Sequence, residues 1–242
     1  MSVILYQFPI SHFCEKVRFA LDHKGIDHQI KNLVPGLHTR TTLKKASQSS
    51  VPLLEHDGRS IQGSEQIISY LDQQFPDNPL TPAESDLAQQ ALNWERYLDK
   101  EIGVHVRRYA YHTLLDHPDL VIGFFATNGR FWAKPFLKMS FPRIQGVMRK
   151  LMKINPDSAE QSRLAVRAAL EKLNQGLDGK DYLVGNQFSR ADLTAVSLLA
   201  PLTMPPQYGL NWPQQLPEPL QAEVESLADQ LQWARNIYSR HR

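Results

Sequence analysis

Three features of the 242-residue chain predict a small α/β unit followed by an all-helical one. Residues 3–74 alternate short apolar runs with amphipathic stripes in the order β-α-β-α-β-β-α, the pattern of a mixed sheet with helices packed on it. A proline-bearing stretch, FPDNPLTP at 75–82, then interrupts that pattern. Beyond it, to about residue 200, only helical periodicity is found.

The elements follow in order. Val3 to Phe8 is a short apolar run ending at Pro9, and reads as a strand. Ser11 opens a helical stripe in which Phe13, Cys14, Val17, Ala20 and Leu21 share one face. Glu15, Lys16 and Arg18 are expected to turn away from it, and Gly25 suits the C-terminal cap. Asp27 to Leu33 reads as a second strand and Thr39 to Ala46 as a short helix. Val51 to Glu55 and Ser60 to Ile61 flank Asp57 and Gly58, a hairpin turn. A helix through Ile67, Ile68 and Leu71 begins at Ser64. Pro76, Pro79 and Pro82 stop that helix and stiffen the connection. TPAE at 81–84 supplies a capping threonine, a proline at the first helical position and a glutamate at the third, a helix start. Asp157 to Leu177 and Ser189 to Leu199 are the clearest later helices. Pro201 to Pro219 is proline-rich, and a final helix runs to the basic end Arg240, His241 and Arg242.

Composition narrows the function. Hydrophobic residues make up 42%, enough for a real core, and 27 basic against 25 acidic residues demand neither nucleic acid nor an anionic membrane as partner. Cys14 is the one cysteine, so no disulfide framework or thiolate cluster forms within the chain. The histidines lack metal-ligand spacing, and no metal is expected. The segment MSVILYQFPI has no basic run before its apolar stretch and does not read as a signal peptide. Leu193 to Leu202 is too short to span a bilayer. A cytoplasmic protein is expected.

Four segments in order resemble the cytosolic glutathione transferase superfamily. PISHFCEKVR at 9–18 is similar to the family's strand-to-helix active-site turn, in its serine-type, theta-like S-x-x-C form. SVPLL at 50–54 is similar to the segment whose proline is cis in thioredoxin-like folds. Gly63 and Ser64 open the next helix, and FSRAD at 188–192 is similar to the family's buried capping box and staple. The resemblance implies a thioredoxin-like α/β glutathione-binding domain at 1–75, a linker at 76–83 and an all-α domain at 84–242. It also implies a homodimer, glutathione as co-substrate and a small hydrophobic electrophile, peroxide or disulfide as the other substrate.

The chemistry so implied is activation of a thiol carried by the substrate. Free thiols ionise near pKa ~8.5, so a hydroxyl donor at a helix N-terminus, which favours the anion, raises the useful thiolate. Ser11 stands there and is the candidate catalytic residue; an N-cap role is the plain alternative. Cys14 and Tyr6 are catalytic alternatives. Cys14 occupies the second-cysteine place of a glutaredoxin-like motif, on the apolar face, where a buried thiol is inert. Tyr6 lies at the end of the first strand, where other classes of the family carry a tyrosine. Val51 and Pro52 are assigned to the cysteinyl backbone of glutathione and Ser64 to its γ-glutamyl carboxylate. Gly63 departs from the family, which places an acid there to anchor the ligand's amino group, and Glu65 is the substitute. His12 departs too, where proline is common. His38 is assigned to the glycyl carboxylate, one position off in spacing. Phe13, Arg107 and Tyr111 are assigned to the electrophile pocket. Trp94, Leu98, Ile102 and Arg107 to Tyr109 would form one wall, and a loop at 123–142 would cover the site. Two readings stand against the transferase: a binding or regulatory protein of the same fold, favoured by Gly63, and a prostaglandin-synthase-like chemistry. Trp94, Tyr97 and Asp99 loosely match the latter, and the missing first cysteine opposes it.

Overall fold

Val3 and Leu5 point into the core from β1 (Val3–Gln7), which anchors the sheet. The computed structural model describes residues 2–242. The sheet has four strands in the order β2-β1-β3-β4. Helix α1 (His12–His23) crosses over to β2 (Gln29–Asn32), parallel to β1. Helix α2 (His38–Lys45) leads to β3 (Leu53–His56), antiparallel to β1 with Leu54 opposite Leu5, and then to β4 (Arg59–Gln62). Asp57 and Gly58 both take positive φ, which matches the twist of a two-residue hairpin. Helix α3 (Ser64–Gln74) completes the unit.

The remainder is helical: α4 (Ser85–Leu98), a π turn at Asp99–Gly103, α5 (Val104–Leu114), α6 (Pro118–Ala126) and α7 (Ala133–Leu151). There follow α8 (Pro156–Leu177), α9 (Arg190–Thr203), α10 (Leu220–Ser226) and α11 (Gln232–His241). The expected capping box forms at the start of α9. Asp192 accepts from the Ser189 amide and hydroxyl, both at 2.9 Å, and from the Leu183 amide at 2.7 Å. Helix α9 is buried nearly all round and packs on α1, α4 and α11.

Three expectations are corrected. Glu15, Lys16 and Arg18 do not face water; they are 0%, 0% and 5% exposed. Helix α1 is packed between the two units, against α3 on one side and α9 on the other, so little of it is left to water. Each charge survives burial because it is paired. Lys16 contacts Glu95 at 2.7 Å and Asp99 at 2.8 Å. Arg18 donates to Glu15 and to Gln7 Oε1, and Glu15 is also held by the Tyr238 hydroxyl and Arg242. Secondly, Thr81 does not cap a helix. Its amide and hydroxyl donate to Asp72 of α3 at 2.9 and 2.7 Å, and α4 starts three residues beyond Pro82 with no side-chain cap. Thirdly, residues 123–142 are mostly helix. Pro135 falls in the first turn of α7, where its missing N–H costs nothing, and Phe124, Phe125, Phe136 and Phe141 sit on helices α6 and α7.

Arg190 ties both units to the linker. Its guanidinium donates to Glu95 of α4 at 2.5 Å, to the Thr81 hydroxyl, and to the Glu65 carbonyl and Ser69 hydroxyl of α3. The seam between sheet and helices is therefore set by directional contacts.

Candidate active site

A cavity of about 830 Å³ opens between the C-terminal end of β1, the segment before β3, and helices α5 to α7. Ser11, His38, Val51, Arg107 and Tyr111, scattered over a hundred residues of sequence, all line it.

Ser11 is the N-cap of α1. Its Oγ accepts from the Cys14 amide at 3.3 Å, and its own hydroxyl proton is committed to no acceptor among the described residues. That leaves an O–H donor at the positive end of a helix, facing the cavity. The turn beneath it is held by the Ser11 amide on the Phe8 carbonyl and by the Tyr208 hydroxyl on the Ile10 carbonyl. His12 points inward. Its Nε2 donates to the Gly103 carbonyl at 2.9 Å, and burial pushes its pKa down to about 3, so it is a neutral strut between α1 and the π turn.

The alternatives sit elsewhere. Cys14 is fully buried, lies off the cavity wall, and burial pushes its thiol pKa up, away from a reactive thiolate. Tyr6 is also off the wall, buried, with Lys31 and Lys45 ammonium groups 5.3 and 5.2 Å from its ring.

Val51 precedes Pro52 through a cis peptide. The Val51 amide and carbonyl are outside the β3 ladder and take no backbone partner among the described residues. The Pro52 carbonyl accepts from the Gly63 amide at 3.2 Å, so the start of α3 is bound to the Val51 segment. Gly63 has φ of 95°, a conformation that disfavours any side chain, and a Cβ there would come 2.3 Å from Gln66 Oε1. Ser64, the first residue of α3, is buried, and its hydroxyl makes no bond within the described residues. Glu65 turns to Arg96, which donates to it at 3.0 Å, and neither Glu65 nor Ser64 lines the large cavity. His38 does line it. Its Nδ1 accepts from the Gly36 amide at 3.2 Å, its ring meets the edge of Phe8, and burial lowers its pKa.

Across the cavity, Tyr111 is a neutral phenol, its pKa raised by burial. Phe13 lies off the wall: its ring fills the space over Gly103 and backs the Arg107 guanidinium at 6.0 Å. Sequence reading missed most of the apolar lining, including Phe124, Phe125, Phe136, Ile144, Met148 and Trp212. The aromatic composition of 123–142 was the available signal for three of them, Phe124, Phe125 and Phe136. Trp212, set in the proline-rich tail and fixed by its indole N–H on the Pro205 carbonyl, had none.

The family model described as glutathione S-transferase, N-terminal domain, matches residues 5–79, and the one described as glutathione S-transferase, C-terminal domain, matches residues 134–219. "Glutathione S-transferase 1" of Dianthus caryophyllus is 30% identical over 203 residues, covering 82% of this chain and 77% of the relative. Among solved structures, a glutathione S-transferase from Rhodospirillum rubrum F11 superposes with a TM-score of 0.65 at 17% identity, over 98% of this chain and 88% of that one. Another from Methylobacillus flagellatus, with GSH bound, gives 0.57 at 22%, over 97% and 98%. At those identities the structural likeness speaks for the fold.

Proposed function

The chain belongs to the glutathione S-transferase family, and from that premise we propose that Ser11 is the residue that ionises the glutathione thiol for attack on an apolar electrophile. The transferase activity and glutathione as co-substrate come with the family; the residue roles are our own reading. The observation that carries it is the uncommitted Ser11 hydroxyl at the N-terminus of α1, opening on the same cavity as the unpaired backbone of Val51.

The tripeptide lies along the segment that leads into β3, at the end of the sheet. Val51 pairs its amide and carbonyl with the cysteinyl backbone. The N-terminus of α3, with the Ser64 hydroxyl, receives the γ-glutamyl carboxylate. His38, its Nδ1 already accepting from Gly36, presents Nε2–H to the glycyl carboxylate. Gly63 supplies no acid, so the γ-glutamyl amino group is held less firmly than in the family pattern, with Glu65 engaged by Arg96. The sulfur then reaches Ser11. There the O–H donor and the helix dipole favour the thiolate, whose proton passes to solvent. The thiolate forms a C–S bond with the electrophile, and the leaving group departs with its electron pair. Phe124, Phe125 and Phe136 form the apolar floor for that electrophile and exclude water, which strengthens the hydroxyl–thiolate bond.

We retain 1–75, 76–83 and 84–242 as the working division into glutathione-binding domain, linker and helical domain, and a cytoplasmic homodimer as the working assembly. No helix of the described residues is long and apolar enough to cross a membrane. The test is calorimetry with glutathione on wild type and on Val51→Pro, which removes the pairing amide. Millimolar glutathione that gives no heat of binding to the wild type refutes the reading.

A further inference from the structure

Arg107 is a cation without a counter-ion among the described residues, in a cavity whose lining holds no carboxylate. It stands on α5, across from Ser11, in a wall that contains no Asp or Glu. Its Nε is buried with no hydrogen-bond partner among the described residues, and Phe13 backs the group with the face of its ring. Burial lowers its pKa, with Arg108 adding repulsion, so the charge is under-compensated. Arg107 also lines a second cavity of about 180 Å³, where Arg108 and Lys153 add positive charge. Arg143 adds another to the large cavity. None of these four forms an ion pair among the described residues. Arg108 is held by neutral acceptors, the Met152 carbonyl and the Ser162 hydroxyl. A half-buried guanidinium whose Nε is buried and unpartnered, in a wall of mostly apolar side chains, is a site that waits for an anion.

We propose that Arg107 is a specificity-determining residue and that the acceptor substrate is an anionic electrophile, an apolar aromatic body bearing a carboxylate that docks on Arg107. The inference rests on the transferase reading above. In that reading the two carboxylates of glutathione are met by the start of α3 and by His38, on the sheet side. Arg107 is on the helical side, beside the aromatic residues of α6 and α7, where the acceptor lies. A carboxylate remote from the reacting carbon is unchanged by the reaction and serves to orient the ring against the sulfur.

The probe is 4-chloro-3-nitrobenzoate, paired with its uncharged methyl ester. In either, the glutathione thiolate attacks the ring carbon bearing chlorine. The C–S bond forms, the C–Cl bond breaks, chloride leaves with the electron pair, and the thiol proton has gone to solvent. The readout is kcat/KM for each compound, divided by its uncatalysed rate constant with glutathione, which removes their intrinsic difference in reactivity. Wild type should favour the acid at least tenfold, equivalent to about 1.4 kcal/mol. Arg107→Met should abolish that preference, chiefly through the KM of the acid, and Arg107→Lys should keep part of it. Because the ratio is internal to each variant, a general loss of folded enzyme does not mimic the result. An ester used as well as the acid by wild type, or an unchanged ratio in Arg107→Met, overturns the inference and leaves the transferase reading intact. A raised pKa of bound glutathione in Arg107→Met, with the ratio unchanged, overturns it as well and assigns the charge to the thiolate. Failure of the wild type to bind glutathione overturns both.

Discussion

Replacing Ser11 by glycine separates the hydroxyl's effect on thiol ionisation from its effect on helix α1. The Ser11 hydroxyl caps α1 through the Cys14 amide at 3.3 Å, and in the role proposed above its proton goes to the bound sulfur. A hydrogen bond to a charged group contributes about 1.5–3 kcal/mol. One pKa unit corresponds to about 1.4 kcal/mol, so removal of the hydroxyl should raise the pKa of bound glutathione by roughly one to two units. Below both pKa values the thiolate fraction, and kcat/KM with it, should fall about ten- to a hundredfold. The cap changes differently: alanine at an N-cap costs about 0.5–2 kcal/mol of stability, glycine only a few tenths. Ser11→Gly and Ser11→Ala should therefore show the same shift in thiol pKa but unequal stability. Thiolate absorbance against pH on the enzyme–glutathione complex measures the first quantity, and urea denaturation the second. Cys14→Ala is the control. It should lower stability by about 1 kcal/mol and leave the bound thiol pKa in place. A bound pKa that is unmoved in both Ser11 variants refutes the assignment. Loss of turnover in Cys14→Ala would mean that the protein works through its own thiol.

Lys16→Met leaves Asp99 without its cation in the buried seam and should cost about 3–5 kcal/mol, read by urea denaturation. A melt within 1 kcal/mol of wild type (about the median for an exposed pair) would contradict a buried role. His12 sets an acid limit. Its folded pKa of about 3 lies below the unfolded ~6.5, so the native state binds fewer protons between those values. Its stabilisation is complete above about pH 6.5 and declines by about 1.4 kcal/mol per unit as the pH falls toward 3. His12→Asn should flatten that slope in a pH series of denaturation curves, and an identical slope in the variant would rule His12 out as its source. Gly63→Ala places a side chain at φ of 95°, and should cost roughly 1–3 kcal/mol with weaker glutathione binding. A neutral result by calorimetry and urea melt would remove the backbone explanation for the missing acid.

Element types and turn positions were legible because they depend on local patterns. The β1 run, the Asp57-Gly58 hairpin and the Ser189 to Asp192 capping box lie within a few residues of sequence, and each formed as read. The chain's family was legible for the same reason, since its four marker segments are local. The candidate site was half legible. Ser11, His38, Val51, Arg107 and Tyr111 meet in one cavity, while Phe13 turned to Gly103 and Glu65 to Arg96. A motif carries a residue's position along the chain, but its side chain goes to whichever partner the packing offers.

By itself, then, the sequence determined the α/β-then-helical order, the strand-to-helix turn bearing Ser11 and the capping of α9. Periodicity and turn chemistry act over one or two helical turns, and need no distant partner. Only the tertiary structure decided that the charged face of α1 is interior. The periodicity of α1 shows one apolar stripe and one charged one, and an exposed charged face has the same pattern as a face buried against fitted counter-charges. Glu95, Asp99 and Arg242, up to 227 residues away, convert that face into the seam between the units. The same holds for Arg107: its isolation is a property of the cavity wall, made by the absence of a carboxylate among the residues that line it.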